Sequence, residues 1–295
     1  MHQRRWQHVE GLARYRRATA FLVLLGGCLL AGVPGWLTSS AAETSPARRE
    51  LRVCADPNNL PFSNERLEGF ENRLAEIIAR DLDATVGYTW WAQRRGFFRN
   101  TLNAGLCDVV MGAPSGLDVV LTTRPYYRST YVFLYRKDRG YHITSLDAPL
   151  LRELKIGVHV IGNDSTNPPP AHALARRHII DNVVGYRIYG NYAEANPPAR
   201  LIDAVVAGEV DVAVVWGPLA GYFARRQPVE LTLVPVPPSA DVPALPFVFD
   251  MGLGVRKHDT ALKAELEAVL QRHQTAIQGL LEAYGIPLVA PGTDP

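Results

Sequence analysis

From residue 51 onward the chain alternates short apolar runs with stretches of helical periodicity. Leu51-Arg52-Val53-Cys54-Ala55 reads as a strand, apolar on one face. Asp56-Pro57-Asn58-Asn59-Leu60-Pro61-Phe62 is dense in turn formers and predicts a loop. Phe70, Leu74, Ile77, Ile78 and Leu82 recur at helical spacing, so 70–82 predicts an amphipathic helix. Strands follow at 85–91, 108–112 and 129–135, with a helix over 97–104 that Gly105 ends in a position suited to a left-handed cap. The run at 108–112 lacks alternation, as expected of a strand covered on both faces. A second series has strands at 154–160, 183–189, 210–215, 230–236 and 247–255, and helices at 171–180, 197–207 and 217–226. One long helix or two close the pattern over 260–284, with Asp259 as N-cap and Gly285 as the stop.

The two series echo one another. Ala104-Gly105-Leu106-Cys107-Asp108-Val109 matches Ala207-Gly208-Glu209-Val210-Asp211-Val212, each after a helix and each opening an apolar strand. Helix, Gly cap, Asp and buried strand form half of a βαβ unit, and finding it twice predicts two similar α/β lobes. The alternative is two unrelated turns in one sheet. The expected boundaries are residues 43–136 with 248–295 for one lobe and 137–247 for the other. Hinge strands are expected near 133–139 and 245–252, and a cleft at the carboxyl ends of the strands.

Ahead of this pattern lie Arg4, Arg5, Arg14, Arg16 and Arg17, an apolar run from Ala18 to Leu37, and Ser39-Ser40-Ala41-Ala42. A basic start, an apolar core and a small-residue site predict an export signal over residues 1–42, cleaved after Ala42, hence a periplasmic protein with no stable membrane anchor. The leader changes the charge picture. The chain carries 31 Lys+Arg against 29 Asp+Glu, net +2, but without the leader the balance is about −2. Neither value suits a nucleic-acid-coating protein. Cys54 and Cys107 remain, and in an oxidising compartment they are a candidate disulfide, the alternative being two buried thiols in adjacent strands.

No catalytic motif is present: no G-x-S-x-G, H-E-x-x-H, phosphate loop or G-x-G-x-x-G. The histidines are scattered, which excludes an evident metal site, and no cofactor or catalytic residue is expected. Topology places Asp56, Asn58, Asn59 and Phe62 after the first strand and Trp90, Trp91, Gln93, Arg94 and Arg95 after the second. Pro114, Ser115 and Asp118 follow the third, and Asn163, Asp164, Ser165, Thr166, Tyr192 and Trp216 come from the second series. Arg94-Arg95 could grip a carboxylate or phosphate by bidentate contacts, or form a solvated strand end. Asn163–Thr166 ahead of a helix could present N–H groups to an anion, or merely enter the helix. Trp216 could be a ligand platform or a packing residue.

The ordered set of Leu51-Arg52-Val53, Gly69-Phe70-Glu71, Ala104-Gly105-x-x-Asp108-Val109, Thr123-Arg124-Pro125-Tyr126-Tyr127 and Tyr284-Gly285-Ile286-Pro287 resembles the periplasmic solute-binding proteins of ABC importers over 51–290. The resemblance implies an α/β, two-lobed binding-protein fold, each lobe a mostly parallel sheet flanked by helices, joined by two hinge strands. A narrower resemblance rests on 53–64, on Gln93-Arg94-Arg95-Gly96-Phe97, on 100–110, and on Arg124–Phe133, which includes Arg128. It is to the quinoprotein-dehydrogenase-associated branch, the J component of methanol oxidation clusters. It implies a non-enzymatic accessory that helps mature or activate a PQQ-dependent methanol or alcohol dehydrogenase, with that enzyme's cytochrome as a further candidate partner. Arg128 joins the candidate cleft residues on this ground.

Two departures from the amino-acid receptors fit that branch. The Arg that grips a ligand carboxylate there falls on Gly116 here, and the Asp that holds the α-amino group falls on Trp216-Gly217. An amino acid would leave its charges poorly paired in such a cleft. The alternative function is an importer receptor for a small non-amino-acid solute, anionic or neutral if Arg94 and Arg95 hold it. An enzyme on this fold, such as a dehydratase, would need an acid or base poised in the cleft, with Asp56 and Asp118 as candidates. Trp90, Trp91, Tyr126 and Tyr127 would suit a partner surface if exposed.

Overall fold

The computed structural model describes residues 49–160, 167–188, 192–238 and 246–290. The expected leader, and with it the cleavage site, lies outside the described residues, as do Asn163, Asp164, Ser165 and Thr166.

The chain runs β1 (Arg49–Ala55), β2 (Asn58–Asn59), β3 (Ser63–Asn64), α1 (Phe70–Asp81), β4 (Ala84–Trp90), α2 (Phe97–Asn100), β5 (Val109–Pro114), β6 (Leu121–Thr122) and β7 (Tyr127–Arg136). It continues β8 (Ile156–Val160), α3 (Pro169–Arg176), β9 (Val183–Arg187), α4 (Arg200–Ala207), β10 (Val212–Trp216), α5 (Gly217–Ala224) and β11 (Leu231–Pro235). It ends β12 (Val248–Val255), α6 (Thr260–Arg272) and α7 (Gln274–Ala283). The helical pattern over 260–284 is therefore a pair, broken at His273. The helix expected over 97–104 stops at Asn100 and gives way to turns, because Thr101 leaves helical geometry with its Oγ donating to Phe97 O at 2.7 Å. The turn-rich segment after β1 is more than a loop: β2 and β3 pair through Asn58 with Asn64 and Asn59 with Ser63.

The sheet order is β4-β1-β5-β12-β7-β10-β8-β9, with β6 on β12 and β11 on β7. Parallel strands make up both ends: β4, β1 and β5 at one, β10, β8 and β9 at the other. Antiparallel β12 and β7 lie between them. Along β7 the partner changes. Tyr127–Thr130 pair with β12, and from Tyr131 the strand pairs with β10 and, from Val132, with β11. Tyr131 N–H donates to Phe247 O at 3.0 Å, and Tyr131 O accepts from Val236 N–H at 2.9 Å. Both ends of the 236–247 crossing are thus tied to one residue.

The echoed hexapeptides occupy the same local geometry. Gly105 and Gly208 both have positive φ, 75° and 74°, which a side chain would strain. Asp108 N–H donates to Arg52 O and Asp211 N–H to Lys155 O, each at 2.8 Å. Each bond docks an incoming strand on its parallel neighbour. In the first joint, a disulfide links Cys54 on β1 to Cys107, with Cα atoms 5.5 Å apart. It packs with Phe97, Leu102, Val110, Ala113 and Val120. In the second joint, buried Val210 stands where Cys107 does.

Candidate functional site

Helix α1 forms because Phe70, Leu74 and Ile78 bury one face against β1, β4 and β5. Its entry is fixed by Asn72, whose Oδ1 accepts from Gly69 N–H at 3.1 Å and Asn64 N–H at 3.2 Å. Glu71 falls on the same buried face. Its carboxyl fills the space over Gly112 of β5, where a Cβ would overlap Oε1. Burial, with the nearby Asp56 charge, pushes Glu71 up to about 8.

Asp56 organises the loop after β1. Its Oδ1 accepts from Asn58 N–H at 2.9 Å and its Oδ2 from Gln93 N–H at 2.7 Å, tying that loop to the segment after β4. Burial raises its pKa, opposed by those two N–H groups and the Tyr192 hydroxyl. Asn59 donates from Nδ2 to Gln93 Oε1 at 3.2 Å, while its buried Oδ1 receives no hydrogen bond.

Glu71 and Asn59 border a cavity of about 270 Å³ at the carboxyl ends of both parallel groups, the usual ligand position in such sheets. Asn59, Phe62, Glu71, Gln93, Gly112 and Pro114 line it from the first group. His159, Pro168, Ile188, Trp216 and Leu219 line it from the second, and Tyr131, Phe249 and Met251 from β7 and β12. Tyr131, Trp216 and Phe249 form one cluster, with Tyr131–Trp216 tilted at 5.3 Å between centroids and Trp216–Phe249 edge to face at 5.7 Å. Burial pulls His159 down to about 4, so its ring is neutral near pH 7, with Nε2 3.2 Å from Pro198 O. No Lys or Arg lines the cavity among the described residues.

Of the residues expected in the cleft, Asn59, Phe62 and Trp216 line this cavity, joined by Gln93 and Pro114. Asp56 is buried outside the lining, its carboxylate spent on backbone. Asn58 turns away, its Nδ2 donating to Glu194 O at 2.7 Å. Trp91, Arg94, Arg95 and Ser115 are exposed and outside the lining, because the chain after β4 turns outward once Gln93 is bonded to Asp56. Arg128 pairs with Asp250 at 3.7 Å on the neighbouring strand. Asp118 is exposed. Tyr127 is buried, and Tyr126 is half-buried with its hydroxyl on Met111 O at 2.9 Å, so neither forms an exposed partner surface. Strand-end topology does not point to Glu71, Tyr131, His159 or Phe249, which also line the cavity. For Glu71 a signal existed: an acid on the apolar face of a helix.

The chain belongs to the bacterial extracellular solute-binding proteins, family 3, whose sequence profile matches residues 51–285. Within that family it falls in the J-protein branch to which the ordered motifs point. It is 34% identical over 265 residues to protein MoxJ of Methylorubrum extorquens AM1, covering 85% of this chain and 86% of the relative. Against protein MoxJ of Paracoccus denitrificans the identity is 29% over 263 residues, covering 85% and 94%. The crystal structure of the periplasmic binding protein XoxJ from Methylobacterium extorquens AM1 superposes with a TM-score of 0.67 at 32% identity, covering 81% of this chain and 99% of that one.

Proposed function

We propose that this protein is a non-enzymatic periplasmic accessory of a PQQ-dependent methanol or alcohol dehydrogenase, exported by the leader over 1–42, which binds the dehydrogenase and helps mature or activate it. The observation that carries this reading is the similarity to MoxJ along 85% of the chain. The cavity supports a binding role, since it lies at the carboxyl ends of both parallel strand groups, where ligands bind in such sheets. Residues 43–136 with 248–295, and 137–247, are proposed as lobes that close on it. The change of strand partner at Tyr131 supports a boundary near there.

The test is a pull-down with the apo-dehydrogenase, together with deletion of this gene in its host. The expected result is a specific complex, and a strain that makes the dehydrogenase polypeptide but has lost most of its activity. Unchanged activity and no complex would overturn the reading. The cavity itself favours a second reading, an importer receptor for a small non-amino-acid solute. A metabolite screen by thermal shift, including PQQ, separates the two, because a ligand bound only by the folded state raises Tm.

A further inference from the structure

Glu71 is a buried carboxyl with no hydrogen bond or ion pair to its side chain among the described residues, although it borders the cavity. Uncompensated burial of an acid is destabilising, and proteins keep such groups where a ligand completes them. Asn59, Gln93 and aromatic rings share the wall with it. Asn59 Oδ1 is a second unfilled acceptor at the same wall. Tyr131, Trp216 and Phe249 present an aromatic cluster. An anion would meet the Glu71 carboxyl, with buried Asp56 behind the wall, and no described cation in the lining to offset them. A cation would find a counter-charge, a carbonyl-type acceptor and ring faces.

We propose that the cavity binds a small alkylammonium cation, with Glu71 as its counter-ion, Asn59 Oδ1 as a second acceptor and Tyr131, Trp216 and Phe249 as the aromatic wall. This goes beyond the accessory role and rests only on the reading of the cavity as a ligand site. It replaces the anionic ligand that Arg94 and Arg95 suggest, since both lie outside the lining.

The proposal has a proton signature. Free Glu71 is mostly protonated at pH 7, because burial holds it at about 8. An ammonium group favours the carboxylate, so binding expels the proton and tightens as pH rises toward 8. The other groups facing Glu71 do not mimic this. Asp56, just after β1, is raised by burial but has each carboxylate oxygen on a backbone N–H and lies outside the lining. Tyr88 on β4, and Tyr126 and Tyr127 at the start of β7, are all shifted upward, away from neutrality. His159, across the cavity, titrates near 4.

The experiment is calorimetric titration of the secreted protein with tetramethylammonium, and with tert-butanol as a neutral analogue of similar shape, at pH 6, 7 and 8 in buffers of differing ionisation enthalpy. The expected result is release of about one proton per cation at pH 7 and affinity rising roughly 50-fold from pH 6 to pH 8. tert-Butanol should bind at least about tenfold more weakly. Glu71→Gln, isosteric with the protonated acid, should abolish proton release and weaken the cation by about tenfold or more. Equal affinity for the neutral analogue, an affinity independent of pH, or no binding of tetramethylammonium at millimolar concentration would overturn the proposal. The wild-type measurements decide it even if the variant fails to fold. A free amine and a partner's lysine share this chemistry. Methylammonium binding more tightly than N-acetyl-lysine amide assigns the free amine, and the reverse order assigns the side chain. A dehydrogenase complex without cation binding sinks this inference alone, while cation binding without a complex sinks only the accessory role.

Discussion

The joints that dock β5 and β10 share a glycine cap, an aspartate and one backbone bond, yet they are fastened by different means. At the first, Asp108 accepts from Arg52 Nη2 at 2.6 Å and from Arg256 Nη2 at 2.9 Å, and Arg256 also donates to Cys107 O at 2.5 Å. Against the upward push of burial, the two guanidinium groups hold Asp108 below the usual carboxylate range. The disulfide sits one residue away. At the second, Asp211 accepts from Lys155 N–H at 2.8 Å and lies at hydrogen-bond reach of the Tyr141 hydroxyl, 3.5 Å. Among the described residues, no Cys or guanidinium bonds to Asp211 there. The difference continues into the cavity. The first group supplies its acid and amides, while the second supplies apolar side chains and a histidine kept neutral. One fold unit used twice has become a cross-linked half carrying polar chemistry and an uncross-linked half forming much of the apolar wall.

The largest test of this contrast is reduction. The Cys54–Cys107 bond spans 53 residues, and closing a loop of that size removes about 4 kcal/mol of denatured-state entropy on the chain-entropy account. Dithiothreitol or Cys107→Ala should lower Tm by about 10 °C for a chain of this length. Hydrogen exchange should rise in β1, β4 and β5 well before β8, β9 and β10. Equal loss in both groups would break the comparison.

Next in size is the pH dependence set by Glu71. Its folded pKa is raised from 4.5 to about 8, so the folded state holds a proton that the unfolded state has released, and stability falls as pH rises across that window. The slope approaches about 1.4 kcal/mol per pH unit. Glu71→Gln should flatten the curve and be more stable than the parent at pH 8, as denaturant unfolding at pH 5 and pH 8 would show. A variant that keeps the parent's slope would move the polar chemistry elsewhere.

The smallest effect compares the aspartates directly. Asp108→Ala leaves Arg256 without its bond to that carboxylate, for an expected loss of about 2–3 kcal/mol. Asp211→Ala removes one backbone acceptor at an expected loss of about 1 kcal/mol. Equilibrium unfolding of both variants gives the ranking, and equal losses would mean that the joints are equally fastened.

Much of the fold was legible because its signals are local. The apolar spacing of α1, the unalternating run of β5 and the two glycine caps are each set by neighbours within a few residues. The broken helix after Asn100 and the β2–β3 pair were not, since Thr101 bonding to its own turn and two-residue strands leave no periodic trace. The site was legible as a place and less so as a composition. Strand ends located the cavity, and Asn59, Phe62 and Trp216 followed from that. Side-chain direction then decided the rest. Gln93 N–H, captured by Asp56, sends Arg94 and Arg95 outward, which no spacing rule contains. Glu71 was visible as an acid among apolar helical positions, but its place over Gly112 needs a contact 41 positions along the chain.

Tyr131 carries a mechanical consequence. Its amide and carbonyl are held by Phe247 and Val236, the two ends of the crossing, while its ring stands in the cavity wall between Trp216 of β10 and Phe249 of β12. It therefore has the position of a bearing between the two strand groups. Trp216 is also its ladder partner on β10, so the indole and the phenol ring are held side by side. In a leader-free variant with Trp90 and Trp91 replaced by Phe, the emission of this one indole would report the state of the cavity wall without any label.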